Sequence, residues 1–441
     1  MNTKKKELFV IDGLAGKKTL KGRVFVNGAK NSALKAMASS VLFDGSVTLS
    51  NIPRTNDIET MVRILTDLGA KIDWNESNKT MKIDASELSK TDIDPDLGRT
   101  MRASVVLTGP ILARLGKVSF PAPGGCVIGA RPIDLFIEGY KKMGAKISID
   151  DDIYSIVAKK DGLTSTTIAF NRVSVGGTET LMMSAVLSKG TTILENCAME
   201  PEIVNVAEWL NACGANITGV GTPIITIVGT NGRLLKPKVS YEAIPDRIEA
   251  GSFLVLGALC AEKLLIENCR PDHLDTVINI LRESGVNIST SERSITVENK
   301  LNNSYKAVNI QTHEYPGFPT DLQVPMAIFL TQASGQSTVI ETIFEGRLKY
   351  VDDLKRMGAD VPVMNPMEIL IKGPTPLKAL SDDEELFAYD IRAGFAIVLA
   401  ALVGKGKFII NNIHLIDRGY ENLEGRLRDI GANISRCCTS G

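Results

Sequence analysis

The stretch Pro123-Gly124-Gly125-Cys126-Val127-Ile128-Gly129-Ala130-Arg131 places one cysteine in a glycine-rich loop, five residues before an arginine. Glycines on both sides leave a backbone that can turn sharply and approach a ligand closely. The thiol is either a small buried hydrophobe, as most free cysteines are, or a group tuned by nearby cations and amides for chemistry. Lys30 and Asn31 stand at a strand-to-helix junction in "VNGAKNSALKAM". Free amides and an ammonium there would seat an anion; the alternative is a solvated surface lysine. Arg102 opens an apolar helix in "TMRASVVLTGP", Arg392 does the same in "AYDIRAGFAIVLAA", and Arg418 sits at another such junction in "IDRGYENLEG". Each is either a capping surface charge or a fork for phosphate and carboxylate. Asp321 lies between a proline-rich turn and an apolar helix in "YPGFPTDLQVPMAIFL". It is either an N-cap or a shielded general base. Asp246 and Arg247 in "IPDRIEAG" read as a structural ion pair. A loop thiol, one carboxylate and several cations at helix starts suit a small, multiply anionic substrate on which protons are moved. A P-loop, a dinucleotide fingerprint and a G-x-S-x-G elbow are all missing from the sequence.

The elements that must position these residues come from an internal repeat. An amphipathic helix ending in a small glycine turn recurs as "MVRILTDLGAKID", "FIEGYKKMGAKIS", "VAEWLNACGANIT", "VINILRESGVNIS", "YVDDLKRMGADVP" and "LEGRLRDIGANIS". The turn glycines are Gly69, Gly144, Gly214, Gly285, Gly358 and Gly431, so six units of about 73 residues fill the chain. Each copy predicts a helix stopped by glycine and followed by a β-branched strand. Upstream lies a second helix, such as "GSFLVLGALC" or "GFAIVLAALV", apolar nearly all round and therefore buried on every side. The class is α/β, and single cores tend to divide beyond about 250–300 residues, which favours two lobes of three units. Residues 22–243 are expected to form the first lobe, carrying the Cys126 loop. Residues 244–441, with 1–21, are expected to form the second. Two lobes of similar build imply a cleft, the usual place for a ligand.

The bulk composition narrows the partners. Of 441 residues, 50 are basic and 51 acidic, a formal net charge of −1, which argues against a general nucleic-acid binder. Seven cysteines form no C-x-x-C pair and only three histidines exist, so neither a disulfide framework nor a metal site is expected. The amino-terminal apolar run and the longest internal ones are too short for a secretory signal or a bilayer span, so a cytoplasmic protein without membrane insertion is expected.

Taken together, "NGAKNSALKAM", "TMRASVVLTGPILARLG", "PGGCVIGARPIDL", "SVGGTETLMMSAVL", "ENCAMEPEIV", "IPDRIEAGSFL", "YPGFPTDLQ", "DIRAGFAIVLA" and "IDRGYENLEGRLRDIGANI" are highly specific. Over nearly its whole length the chain resembles the UDP-N-acetylglucosamine enolpyruvyl transferases. The Gly-Gly-Cys loop separates these from the sister 5-enolpyruvylshikimate-3-phosphate synthases. The resemblance implies a two-lobed inside-out α/β barrel, three units per lobe. It implies transfer of the enolpyruvyl group of phosphoenolpyruvate to UDP-N-acetylglucosamine by addition and elimination, with no cofactor. By position, Cys126 is the general acid and covalent thiol, and Asp321 takes the sugar 3-hydroxyl proton. Lys30 and Asn31 bind phosphoenolpyruvate. Arg102, the run Arg131, Pro132, Ile133, Asp134 and Leu135, the run Arg172, Val173, Ser174 and Val175, and Ile343 contact the sugar nucleotide. Arg347, Asp390, Arg392 and Arg418 hold the carboxylate and phosphate, Arg418 and Lys30 counting among the catalytic groups. The chain departs from the family at Met199, where arginine is frequent, and at Leu415, where histidine is. A shikimate-pathway enzyme and a non-catalytic six-unit ring are the alternatives, and the sequence leaves the oligomeric state open.

Overall fold

The computed structural model describes residues 6–124, 128, 133–299, 304–381 and 384–439. They divide into two compact units, one of Gly28–Cys126 with Arg131–Ile244, the other of Met1–Asn27, Val127–Ala130 and Pro245–Gly441. Each has a hydrophobic core of its own.

The first unit contains helices α1 (Lys30–Ser39), α2 (Asn56–Asp67), α3 (Pro95–Thr100), α4 (Thr108–Leu115), α5 (Asp134–Lys142), α6 (Val175–Val186) and α7 (Pro201–Ala212). The second contains α8 (Arg247–Cys260), α9 (Asp275–Glu283), α10 (Thr320–Thr331), α11 (Val351–Arg356), α12 (Ile391–Val403) and α13 (Leu423–Asp429). Two classes of helix are present, as the sequence pattern demands. Ile248–Cys260 of α8 and Arg392–Val403 of α12 are buried at every position. By contrast α9 buries only Val277, Ile278 and Leu281, one face of an amphipathic helix.

The six turn glycines all have φ between +88° and +107°. At each, the glycine N–H donates to the carbonyl three residues back, and the next N–H donates to the carbonyl five residues back. Gly69 reaches Thr66 at 3.0 Å while Ala70 reaches Leu65 at 2.9 Å, and Gly431 reaches Arg428 at 2.9 Å while Ala432 reaches Leu427 at 3.0 Å. This is the Schellman cap, repeated six times, and it turns each outer helix directly into a strand. A Cβ built at Gly431 meets nothing within 4 Å, so its only penalty is backbone strain. Gly431→Ala is therefore expected to lower stability by about 1–2 kcal/mol, read by denaturant unfolding. A variant as stable as the parent would show that φ does not select the glycine.

Among the described residues six small sheets share one strand order. Thr167–Ala169 runs parallel to Thr191–Glu195, which pairs antiparallel with Ile224–Val228, which in turn pairs with Ile217–Thr218. The sheet around Lys117–Pro121 reduces its parallel partner to a single bridge, Asp92 to Ser119. In the last sheet the amino-terminal strand Lys6–Asp12 takes the third place, between Lys407–Asn411 and Ile434–Thr439. The strand Leu20–Phe25, which leads in sequence toward α1, pairs with Ala261–Glu267. Tyr241–Glu242, which leads toward α8, pairs with Val47–Ser50. The two chain passages between the units thus exchange the leading strand of a β-α-β unit. One helix differs from expectation: Arg102 opens a 3₁₀ segment, Arg102–Leu107, and α4 begins only at Thr108. Pro110 has no N–H to give to a carbonyl four residues back, so one regular helix cannot run through from Arg102.

Candidate active site

In the second unit the N-termini of α8, α10 and α12 bring acids and arginines together. Asp246 caps α8, its Oδ1 accepting the N–H of Ile248 at 2.8 Å and of Glu249 at 3.0 Å. Asp390 caps α12 in the same way, accepting from Arg392 at 2.8 Å and Ala393 at 3.0 Å. Asp321 is not a cap, since Pro319 holds that position on α10. Its carboxylate instead meets two guanidiniums, with Arg347 Nη2 at 2.7 Å from Oδ1 and Arg392 Nε at 3.3 Å from Oδ2. Arg347 Nη1 stands 3.7 Å from Asp390 Oδ1, and Arg347 Nε donates to Thr320 Oγ1 at 3.3 Å. Both arginines are buried while the Asp321 side chain remains 29% exposed, the open member of the group. Burial would lower the Arg392 pKa, but Tyr420, Asp321 and Asp246 outweigh it and hold the group above the ordinary arginine value. The result is a fixed set of positive forks around one reachable carboxylate, an arrangement suited to a planar anion beside a proton acceptor.

In the first unit Lys30 is the first residue of α1 and is buried, not solvated. Its Nζ lies 2.8 Å from Asp57 Oδ2, in the first turn of α2. Gly28, just upstream, is required by close approach: a Cβ there would stand 1.8 Å from the Asn51 carbonyl oxygen. Asn31 is half-buried beside Lys30, and Arg102 is half-buried at the start of its 3₁₀ segment. Ser174 caps α6, accepting the Gly177 N–H at 3.1 Å, with half-buried Val173 and Val175 on either side. Arg172 reaches the Asp134 carboxylate from across the sequence, both side chains exposed, so that two of the expected contact runs meet. Ile133 is buried and Leu135 half-buried at the start of α5.

The structure therefore brings together Asp321, Arg347, Asp390 and Arg392, and separately Asp134 and Arg172. Arg418 is half-buried between the 3₁₀ turn Ile413–Leu415 and α13, and the Ile343 N–H donates to Glu341 Oε1 at 2.9 Å. Cys126, Arg131 and Pro132 lie outside the described residues. Sequence reasoning missed Asp57, because an acid in a helix first turn is ordinary. It also missed the buried pair Lys35–Glu179 (3.3 Å), in which burial pushes the Glu179 carboxyl up to about 7, against the pull of Lys35. Tyr420 went unnoticed as well; its hydroxyl bonds Ser252 at 2.8 Å, and its ring centroid lies 5.4 Å from the Arg392 guanidinium. The departing residues Met199 and Leu415 are both half-buried. Among the described residues no group of three metal-ligating side chains exists, and no helix is long and apolar enough to cross a membrane.

The family model described as EPSP synthase (3-phosphoshikimate 1-carboxyvinyltransferase) matches residues 14–427. The enolpyruvyl transferase NikO from Streptomyces tendae superposes with a TM-score of 0.87 at 22% identity, covering 99% of this chain and 100% of that one. An EPSP synthase from Acinetobacter baumannii superposes at 0.72 and 18% identity, over 98% and 100% of the two chains. These likenesses establish the fold. The UDP-N-acetylglucosamine 1-carboxyvinyltransferase of Thermodesulfovibrio yellowstonii is 41% identical over 98% of this chain and 99% of its own. An enzyme of the same description from Caldanaerobacter subterraneus is 43% identical over 95% and 97%. At such identity over essentially the full length, the chain belongs to the UDP-N-acetylglucosamine 1-carboxyvinyltransferases of the EPSP synthase family.

Proposed function

We infer that the protein transfers the enolpyruvyl group of phosphoenolpyruvate to the 3-hydroxyl of UDP-N-acetylglucosamine, releasing phosphate. The observation that carries this is the full-length identity to relatives of that description. In this reading it is a cytoplasmic enzyme performing the first committed step of peptidoglycan synthesis. Its two units are the lobes of an inside-out α/β barrel pair, with three of the six sheets in each.

The chemistry assigned to the residues is addition followed by elimination. Asp321 accepts the proton of the sugar 3-hydroxyl as that oxygen bonds to C2 of phosphoenolpyruvate. The Cys126 thiol gives a proton to C3, and a tetrahedral ketal results. Loss of a C3 proton and departure of phosphate then restore the double bond. Arg347, Arg392 and Arg418 hold the carboxylate and phosphate, with Asp390 fixing the start of α12 beneath them. Lys30 and Asn31 seat phosphoenolpyruvate. Arg102, Arg131–Leu135, Arg172–Val175 and Ile343 hold the sugar nucleotide. Support comes from Arg347 and Arg392 being held in place by Asp321 and Asp390, so little reorganisation accompanies charge development.

The shikimate enzyme is the second reading, favoured by the description of the family model. Phosphate release from phosphoenolpyruvate decides between them when each acceptor is supplied alone. Release with UDP-N-acetylglucosamine is expected and none with shikimate 3-phosphate; the reverse pattern overturns the assignment.

A further inference from the structure

We propose that Glu341 and Thr320 are positioning residues that fix the aim of the Arg347 guanidinium toward Asp321. The proposal rests on the functional reading above. Arg347 is 3% exposed and uses a different edge of its planar group for each partner. Contacts at Nη1 and Nη2 hold the far end of the fork. The Nε–H contact to Thr320 governs rotation about the Cδ–Nε bond, and with it the plane in which the whole fork lies.

Thr320 can accept that bond only if its own proton goes elsewhere. It goes to Glu341, whose Oε2 lies 2.9 Å from Thr320 Oγ1. A carboxylate only accepts, so the direction of the relay is fixed: Arg347 donates to Thr320, and Thr320 donates to Glu341. Glu341 is itself anchored. It is fully buried, and its Oε1 accepts the N–H of Ile343 at 2.9 Å, the N–H of Phe344 at 3.0 Å and the Thr312 hydroxyl at 3.2 Å. The two oxygens of one carboxylate thus set the backbone at Ile343 and, through Thr320, the plane of Arg347. Burying a carboxylate is costly unless every lone pair is used. Here it joins three segments: the turn after strand Ala333–Ile340, Thr312 a few residues upstream of the proline-rich turn, and the first residue of α10.

Substitution can separate relay from scaffold. In Glu341→Gln the amide oxygen still accepts the two backbone N–H groups, but an NH₂ now faces Thr320 and the hydroxyl loses its acceptor. In Thr320→Val the hydroxyl is absent, and in Thr320→Ser it is kept. With phosphoenolpyruvate and UDP-N-acetylglucosamine, Glu341→Gln and Thr320→Val are each expected to lower kcat/KM about 10- to 100-fold, as small misplacements of a reacting geometry do. The double variant should be no worse than the poorer single one, and Thr320→Ser should stay within about threefold of the parent. An unchanged Thr320→Val, a Thr320→Ser as poor as the valine variant, or losses that multiply would each overturn the proposal. A parent protein inactive on these substrates would instead refute the functional reading. The relay is then judged from urea midpoints of Thr320→Val, Arg347→Lys and their combination, where non-additive shifts support it and additive shifts overturn it.

Discussion

Asp321→Asn is expected to lower kcat by at least about two orders of magnitude, the usual range for loss of a general base. Asparagine keeps an oxygen for Arg347 Nη2 and has nearly the same shape, so the fork geometry at 2.7 Å survives in outline. What disappears is the capacity to take a proton from the sugar hydroxyl. The fall should therefore be in kcat, with KM for phosphoenolpyruvate within a few-fold, the signature of an interaction made only in the transition state. Some stability is lost too, because Arg392 and Arg347 remain buried with one carboxylate charge fewer beside them. Steady-state kinetics with a thermal melt separates the two effects. A folded variant turning over at the parental rate would remove Asp321 from the mechanism and leave it as a partner of the arginines.

How much of this was legible in the sequence depends on whether the signal was local. The six glycine turns were legible because a Schellman cap writes its requirement into one residue, and all six have the positive φ that the motif needs. The buried helices were legible from composition alone, as α8 and α12 show. Arg102 opens a buried helical segment as its place in the sequence suggests, but the 3₁₀ form of that segment was not legible, because it depends on Pro110 eight residues further on. The pairing of Leu20–Phe25 with Ala261–Glu267 links positions far apart in sequence and leaves no periodic trace. The same holds within the site. Lys30, Asp321 and Arg392 stand out as charges at apolar helix starts, whereas Asp57, Thr320 and Glu341 look like ordinary end-of-element polar residues. Their roles exist only through partners 27, 27 and 21 residues away: Lys30, Arg347 and Thr320.

Lys30 carries the second large effect, and it tests whether a buried charge is there for the fold or for the substrate. The ammonium is 2.8 Å from Asp57, and both side chains are more than nine-tenths buried. Lys30→Met takes the cation away from a buried carboxylate, which should cost about 3–5 kcal/mol of stability. It should also lower kcat/KM for phosphoenolpyruvate by about two to three orders of magnitude, the scale for losing one preorganised donor to developing negative charge. Lys30→Met/Asp57→Asn removes both charges and should regain a large part of the stability, because a buried pair replaced as a unit is often nearly neutral. It should regain none of the activity, since no cation then stands at the start of α1. Denaturant unfolding and phosphate-release kinetics on the parent, the single and the double variant give the two readouts independently. If the double variant recovers activity along with stability, Lys30 serves only to neutralise Asp57, and the anion seat at the start of α1 rests on its amides and on Asn31.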